Sequence, residues 1–181
     1  MTDTRQEAYN TFVDLNQLSY KLISYLLEND EEIWKLLKYS APDAWNMTNL
    51  TKAQKGALIW DGVKTATDCR VFFDIIDPSW TEQATIIRIF PVEIIPYNYV
   101  NGNSAIAFQV FTHNEISTLS DYTTRNMTVI QRFLEVFNGA DIKGIGRLFF
   151  DAKRSSRCRL STIGQLPMTG YSLVMCTNST G

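Results

Sequence analysis

The residues able to do covalent or metal chemistry are few and poorly spaced for it. His113 is the single histidine. A multi-histidine metal site is therefore impossible, and any zinc would draw on cysteines far apart in sequence. Those cysteines, Cys69, Cys158 and Cys176, form neither an even disulfide set nor a C-x-x-C knuckle. They are expected to be buried packing in a chain made in a reducing compartment. A Ser-His-Asp arrangement would combine His113, Asp121 and Ser117 or Ser120, yet no G-x-S-x-G elbow is present. A cysteine nucleophile would be Cys158 or Cys176 beside His113, each in apolar or basic surroundings. Gly144-x-Gly146 lacks the third glycine of a dinucleotide fingerprint and precedes an extended segment, so it reads as turn glycine. The pairs Asp74 and Asp77, and Asp141 and Asp151, carry no flanking pattern that would set them in one cleft. The expectation from residues alone is no catalytic residue, no cofactor, no metal and no enzyme.

What remains is charge. KRSSRCR places Lys153, Arg154, Arg157 and Arg159 within seven residues with no acid between them. Its opposite is ENDEE, where Glu28, Asp30, Glu31 and Glu32 are four carboxylates in five residues. Both are read as candidate interaction patches, the basic run on a long loop and the acidic run on a helix junction. The 181 residues are 45% apolar and 20% charged with a formal net charge of −2, values of a folded chain with no global attraction to nucleic acid or anionic membrane. The start MTDTRQEAYN lacks a basic segment followed by an apolar run, and no stretch has the length of a spanning helix. A soluble chain with no membrane partner is expected.

The elements that must position these residues follow from periodicity. Ala8, Phe12, Leu15, Leu22, Ile23, Leu26 and Leu27 recur at helical steps between Arg5 and Glu28. Asn29 or Asp30 can cap a short second helix with Ile33, Trp34, Leu36 and Leu37 inward. Thr51 can cap a third, carrying Ala57, Leu58 and Ile59 and stopped by Asp61-Gly62. Beyond Gly62 come extended runs: Cys69–Ile76, then Ala84–Ile95 with Pro91 marking an edge, bulge or strand end. Asn101-Gly102 suits a two-residue hairpin turn before SAIAFQVFT. Asn126 then caps a helix with the stripe Val129, Ile130, Phe133, Leu134, Val136 and Phe137, ended by Asn138-Gly139. Two strands close the chain, near Leu148 and Val174, separated by Lys153–Gly170. The fold class is α+β: a mainly antiparallel sheet packed against helices, with an extra N-terminal helical segment. Residues 1–181 are expected to form one domain, with the helical segment at about 1–62 and the sheet-plus-helix body at about 63–181.

The N-terminal phrase LLENDEEIWKLLKYSAPDAWNMTNLTKAQKGALIWDG, then IIRIFPVEIIP, AIAFQVFTH, TVIQRFLEVFNG and a closing strand pair resemble small neck proteins of tailed bacteriophages. The closest in style is the tail terminator or tail-completion type. The resemblance implies an α+β subunit without cofactors that assembles into a homo-oligomeric ring, commonly a hexamer. Such a ring ends tail-tube growth and joins the tail to the neck. Its implied partners are further copies of itself, the tail tube protein and a neck or connector protein. DNA passes through without specific binding, and the implied location is the virion. Another neck ring, such as a head-completion or stopper protein, is the near alternative. A small soluble enzyme is the alternative from another class.

Overall fold

A computed structural model describes residues 17–74, 82–96 and 102–178. The first helix, α1 (Leu18–Asn29), buries Leu18, Leu22, Ile23 and Leu26 along one face. The part of the expected helix before Gln17 lies outside the described residues. Asp30 is extended and breaks the helix. Its Oδ1 accepts the Ile33 amide at 2.7 Å, the bond that starts α2 (Glu32–Lys38). The four apolar residues expected inward on α2 are all buried. Thr51 caps α3 (Lys52–Ala57) in a reciprocal capping box with Gln54.

Seven strands follow: β1 (Val71–Phe72), β2 (Thr85–Pro96), β3 (Gly102–His113), β4 (Asp141–Ile142), β5 (Gly146–Phe149), β6 (Arg159–Gln165) and β7 (Met168–Asn178), with α4 (Arg125–Phe137) between β3 and β4. They form one curled mixed sheet in the order β1-β2-β3-β7-β5-β4, with β6 also paired to β7. Among described strands the single parallel pair is β1 with β2. Strand β7 is the organiser. One edge runs along all of β3, while the other holds β6 from Met168 to Val174 and β5 from Cys176 to Asn178. Gly170 permits the β3 contact, because a Cβ there would sit 1.8 Å from the Val110 carbonyl oxygen.

Alternation divides the sheet's side chains between two faces. Ile87, Ile89, Ile106, Phe108, Val110, Leu173 and Met175 meet the buried stripes of α1, α2 and α4 in the main core. Phe108 lies 5.3 Å from Phe133 and 4.9 Å from Phe137 between ring centroids. The opposite face carries two smaller clusters. In one, Phe90, Ala105, Ala107, Val174 and Cys176 pack with Phe149 and Cys158; in the other, Ile86 packs with Cys69, Phe72 and Met168.

Several local expectations change. Asn126 is inside the first turn of α4, and its Nδ2 donates to the Thr169 carbonyl at 2.9 Å, so it ties the helix to β7 and does not cap it. The run Cys69–Ile76 pairs only at Val71 and Phe72, with Ile75 and Ile76 outside the described residues. Pro91 precedes a bulge, where the register shifts between Pro91 and Glu93. The Asn101-Gly102 turn falls partly outside the described residues, and Pro96 pairs with Gly102. The chain closes with four strands in place of two. Gly144 and Gly146, with φ of 78° and 90°, serve the β4–β5 turn.

Candidate interaction surfaces

The acidic patch is largely engaged inside the subunit. The Asp30 side chain is fully buried, and its Oδ2 accepts from Arg132 Nε at 2.9 Å while Oδ1 caps α2. Arg132, on α4, also meets Glu32 at 3.3 Å and Glu135 at 2.6 Å. Burial opposes its charge, but the hydrogen bond and field of Asp30 outweigh that and raise its pKa. Glu31 pairs at 2.5 Å with Lys55 of α3, whose buried ammonium also donates to the Leu27 and Asp30 carbonyls at 3.3 Å. These bonds staple α1, α2, α3 and α4 together. Glu28 stays exposed, with no ion pair among the described residues.

The basic run is a compact turn followed by a strand, which corrects the expected long loop. Asp151 anchors it: its Oδ1 accepts the Lys153 amide at 2.9 Å, and its backbone carbonyl accepts the Arg154 and Ser155 amides. Arg154 lies 3.6 Å from the Asp151 carboxylate and 5.7 Å from the Phe149 ring centroid. Arg157 forms a two-pronged pair with Glu93 of β2, one bond of which is 3.0 Å. That hydrogen bond holds the Glu93 carboxyl below its usual range. Arg159 is the first residue of β6. Lys153 and Arg159 are exposed and, among the described residues, form no ion pair.

Three features went unread in the sequence. Arg125, at the start of α4, is fully buried and donates to five backbone carbonyls: Ile116 through Nε, Leu36 and Tyr39 through Nη1, Ser40 and Ala41 through Nη2, at 2.7–3.1 Å. Burial lowers its pKa to about 10, so it remains charged at neutral pH. It clamps the α2 terminus and the following residues to α4. Strand β6 pairs with β7 on one side, and nothing among the described residues pairs with its other side. Its Leu160 is 40% exposed. The loop before α4 raises Tyr122, 93% exposed at a φ of 65°. Buried Leu119, the Ser120 amide bonded to Pro42 O at 2.9 Å, and Asp121, which accepts from the Thr123 amide and hydroxyl, hold that tip rigid.

The residues considered for chemistry are dispersed into structural tasks. His113 Nδ1 accepts the Glu115 amide at 3.3 Å, Ser117 donates to Asn114 O, and Asp121 serves its own loop. Asp77 lies outside the described residues, and Asp141 sits exposed on β4. No cluster of three potential metal ligands occurs among the described residues.

Residues 30–176 match the family model YomW. The chain belongs to the YomW family. This is a phage-derived family of the Bacillus-prophage kind, and the chain is accordingly phage-associated. The YomW match starts at Asp30 and ends at Cys176, so it takes in the α2 cap, the Arg125 clamp, the Tyr122 loop, the basic turn and β6. No curated protein matches the chain.

Proposed function

We propose that this chain is a structural subunit of a phage particle, forming a ring at the head–tail junction that terminates the tail tube and joins it to the neck. The observation that carries the reading is β6. Sheet edges invite pairing with other chains, and folded proteins blunt those not meant for it. Here β1 and β4 are two residues long, and outer β2 has Pro91, a bulge and Glu93. Strand β6 has seven residues, no proline and no bulge, and its backbone is open on one side among the described residues. It is a ready surface for a second copy. Ring closure needs a heterologous contact in which one surface of each subunit meets a different surface of the next. The rigid Tyr122 loop supplies a separate anchor for a neighbour, since exposed aromatics held in place are effective contact centres. Phage-derived family membership supports the setting.

The test is the mass of the purified full chain in solution, alone and with polymerised tail tubes. A ring, or a monomer that assembles only on tube ends, agrees with the proposal. A monomer that neither self-associates nor caps tubes refutes it. Thr162→Lys and Ile163→Lys, which add charge along the open edge, are expected to block association while the subunit keeps its melting temperature.

A further inference from the structure

Two of the three thiols are neighbours. Cys158 ends the basic turn and Cys176 lies on β7, and both are buried in the cluster with Phe90, Ala105, Phe149 and Val174. Both also touch Ser155, Cys158 through its backbone amide and Cys176 through its thiol. Cys176 Sγ also meets Ser155 Oγ at 3.3 Å, and Cys158 donates to the Phe149 carbonyl at 3.6 Å. The register explains the meeting. Phe149 pairs with Cys176 and Arg159 with Val174, so the chain leaves β5 and enters β6 beside the same stretch of β7. A turn bond from the Cys158 amide to Ser155 O, 3.1 Å, folds that connection onto the sheet. Cys176 also lines a pocket of about 10 Å³ with Ser155, Arg157 and Glu93, room for about one water, so a larger reagent reaches the thiols only when the turn opens. Cys69 belongs to a different cluster, beside Phe72 and Ile86.

We propose that Cys158 and Cys176 are a redox-active pair that closes to an intrachain disulfide when opening of the basic turn admits a disulfide oxidant. One thiol loses its proton to solvent and attacks the oxidant's S–S bond, giving a mixed disulfide and releasing one oxidant thiolate. The second then loses its proton, attacks the protein sulfur of the mixed disulfide and expels the other oxidant thiolate. Both thiolates take up protons. In sum, two protein thiols are oxidised and one external disulfide is reduced to two thiols. Burial pushes the Cys176 thiol up to about 11. Closure is therefore slow near neutrality and accelerates as pH rises, because the thiolate is the attacking species. Once formed, the bond ties the turn bearing Arg154 and Arg157 to β7 and restrains the unfolded chain across the β6–β7 hairpin. This inference does not depend on the ring.

The test exposes the native full chain to oxidised glutathione at several pH values. Titratable thiols are expected to fall from three to one. The intact mass should drop by two hydrogens without a glutathione adduct, and peptide mapping should join Cys158 to Cys176 with Cys69 free. The melting temperature rises and reverts with dithiothreitol, and the closure rate increases with pH. Cys158→Ser and Cys176→Ser each end as a glutathione adduct or unreacted. Three free thiols after prolonged exposure at about pH 9, a bond to Cys69, a stable adduct on the natural chain, or a disulfide between chains would each overturn the proposal.

Discussion

Replacing Arg125 by Met removes five donors while keeping a long apolar stem, and we predict a large loss of stability. The Leu36 and Ile116 carbonyls lie in buried hydrogen bonds, whereas those of Tyr39, Ser40 and Ala41 are partly exposed. Water can serve the second group after the substitution at little cost. The first two lose their partners where water does not reach, at about 1–3 kcal/mol each. The expected total is thus about 2–6 kcal/mol, a large share of the roughly 5–15 kcal/mol that holds a domain together. Urea unfolding of both chains, analysed as two-state transitions with matching slopes, measures it. The pH dependence is a second check. The folded pKa, about 10, lies below the ordinary guanidinium value of the unfolded chain. The folded state therefore binds fewer protons between those values, and only there does this group make stability rise with pH. From about pH 6 to 9 the gap between the two proteins should be flat. A loss under about 1 kcal/mol would show that the two buried carbonyls find other partners, and the clamp would not be what fastens α2 to α4.

Other substitutions probe different levels of the fold. Phe133→Ala should cost about 3–5 kcal/mol in denaturant melts, since Phe133 is fully buried between Phe108 and Phe137. Gly170→Ala should prevent native pairing of β3 with β7, because the 1.8 Å approach to the Val110 carbonyl cannot be relieved by a side chain turning away; a native circular dichroism spectrum and melting curve would refute this. Tyr122→Gly should leave subunit stability unchanged or raise it by up to about 1 kcal/mol, as glycine accepts a φ of 65° without steric cost, while association is lost. Normal association of that variant would remove Tyr122 from the contact.

The elements legible in the sequence are those whose cause is local. Thr51 with Gln54 is a capping pattern readable over four residues, and Val129, Ile130, Phe133 and Phe137 mark one helix face whatever lies opposite. Strand β6 escaped because an edge strand exposed on both faces has no apolar alternation: Arg159 to Thr162 are all exposed. The closeness of Cys158 and Cys176 depends on the register of β5 and β6 along β7, which no spacing encodes. Arg125 left one trace. A cation in the first turn opposes its own helix dipole, and the mismatch is resolved by carbonyls at the end of a different helix.

Charge density likewise misleads when the partner is distant in sequence. Glu28 to Glu32 and Lys153 to Arg159 look like two complementary patches, yet Asp30, Glu31, Glu32, Arg154 and Arg157 already face charges within their own subunit. Reversing Glu31 or Arg157 would therefore disturb the fold and the contact together. Lys153 and Arg159 are better probes: both are exposed, outside any ion pair among the described residues, and Arg159 opens β6. If copies meet along β6, these two charges steer the encounter while backbone and apolar contacts hold it. Exposed charges are worth about 0–1 kcal/mol each, so Lys153→Glu with Arg159→Glu should slow association up to about thirtyfold. The effect should fade near 1 M salt, where the screening length falls to about 3 Å. Light scattering at low and high salt reads the rate, and an unchanged melting temperature shows that the subunit is intact. Association as fast as the natural chain's at low salt would exclude the basic end of β6 from the interface.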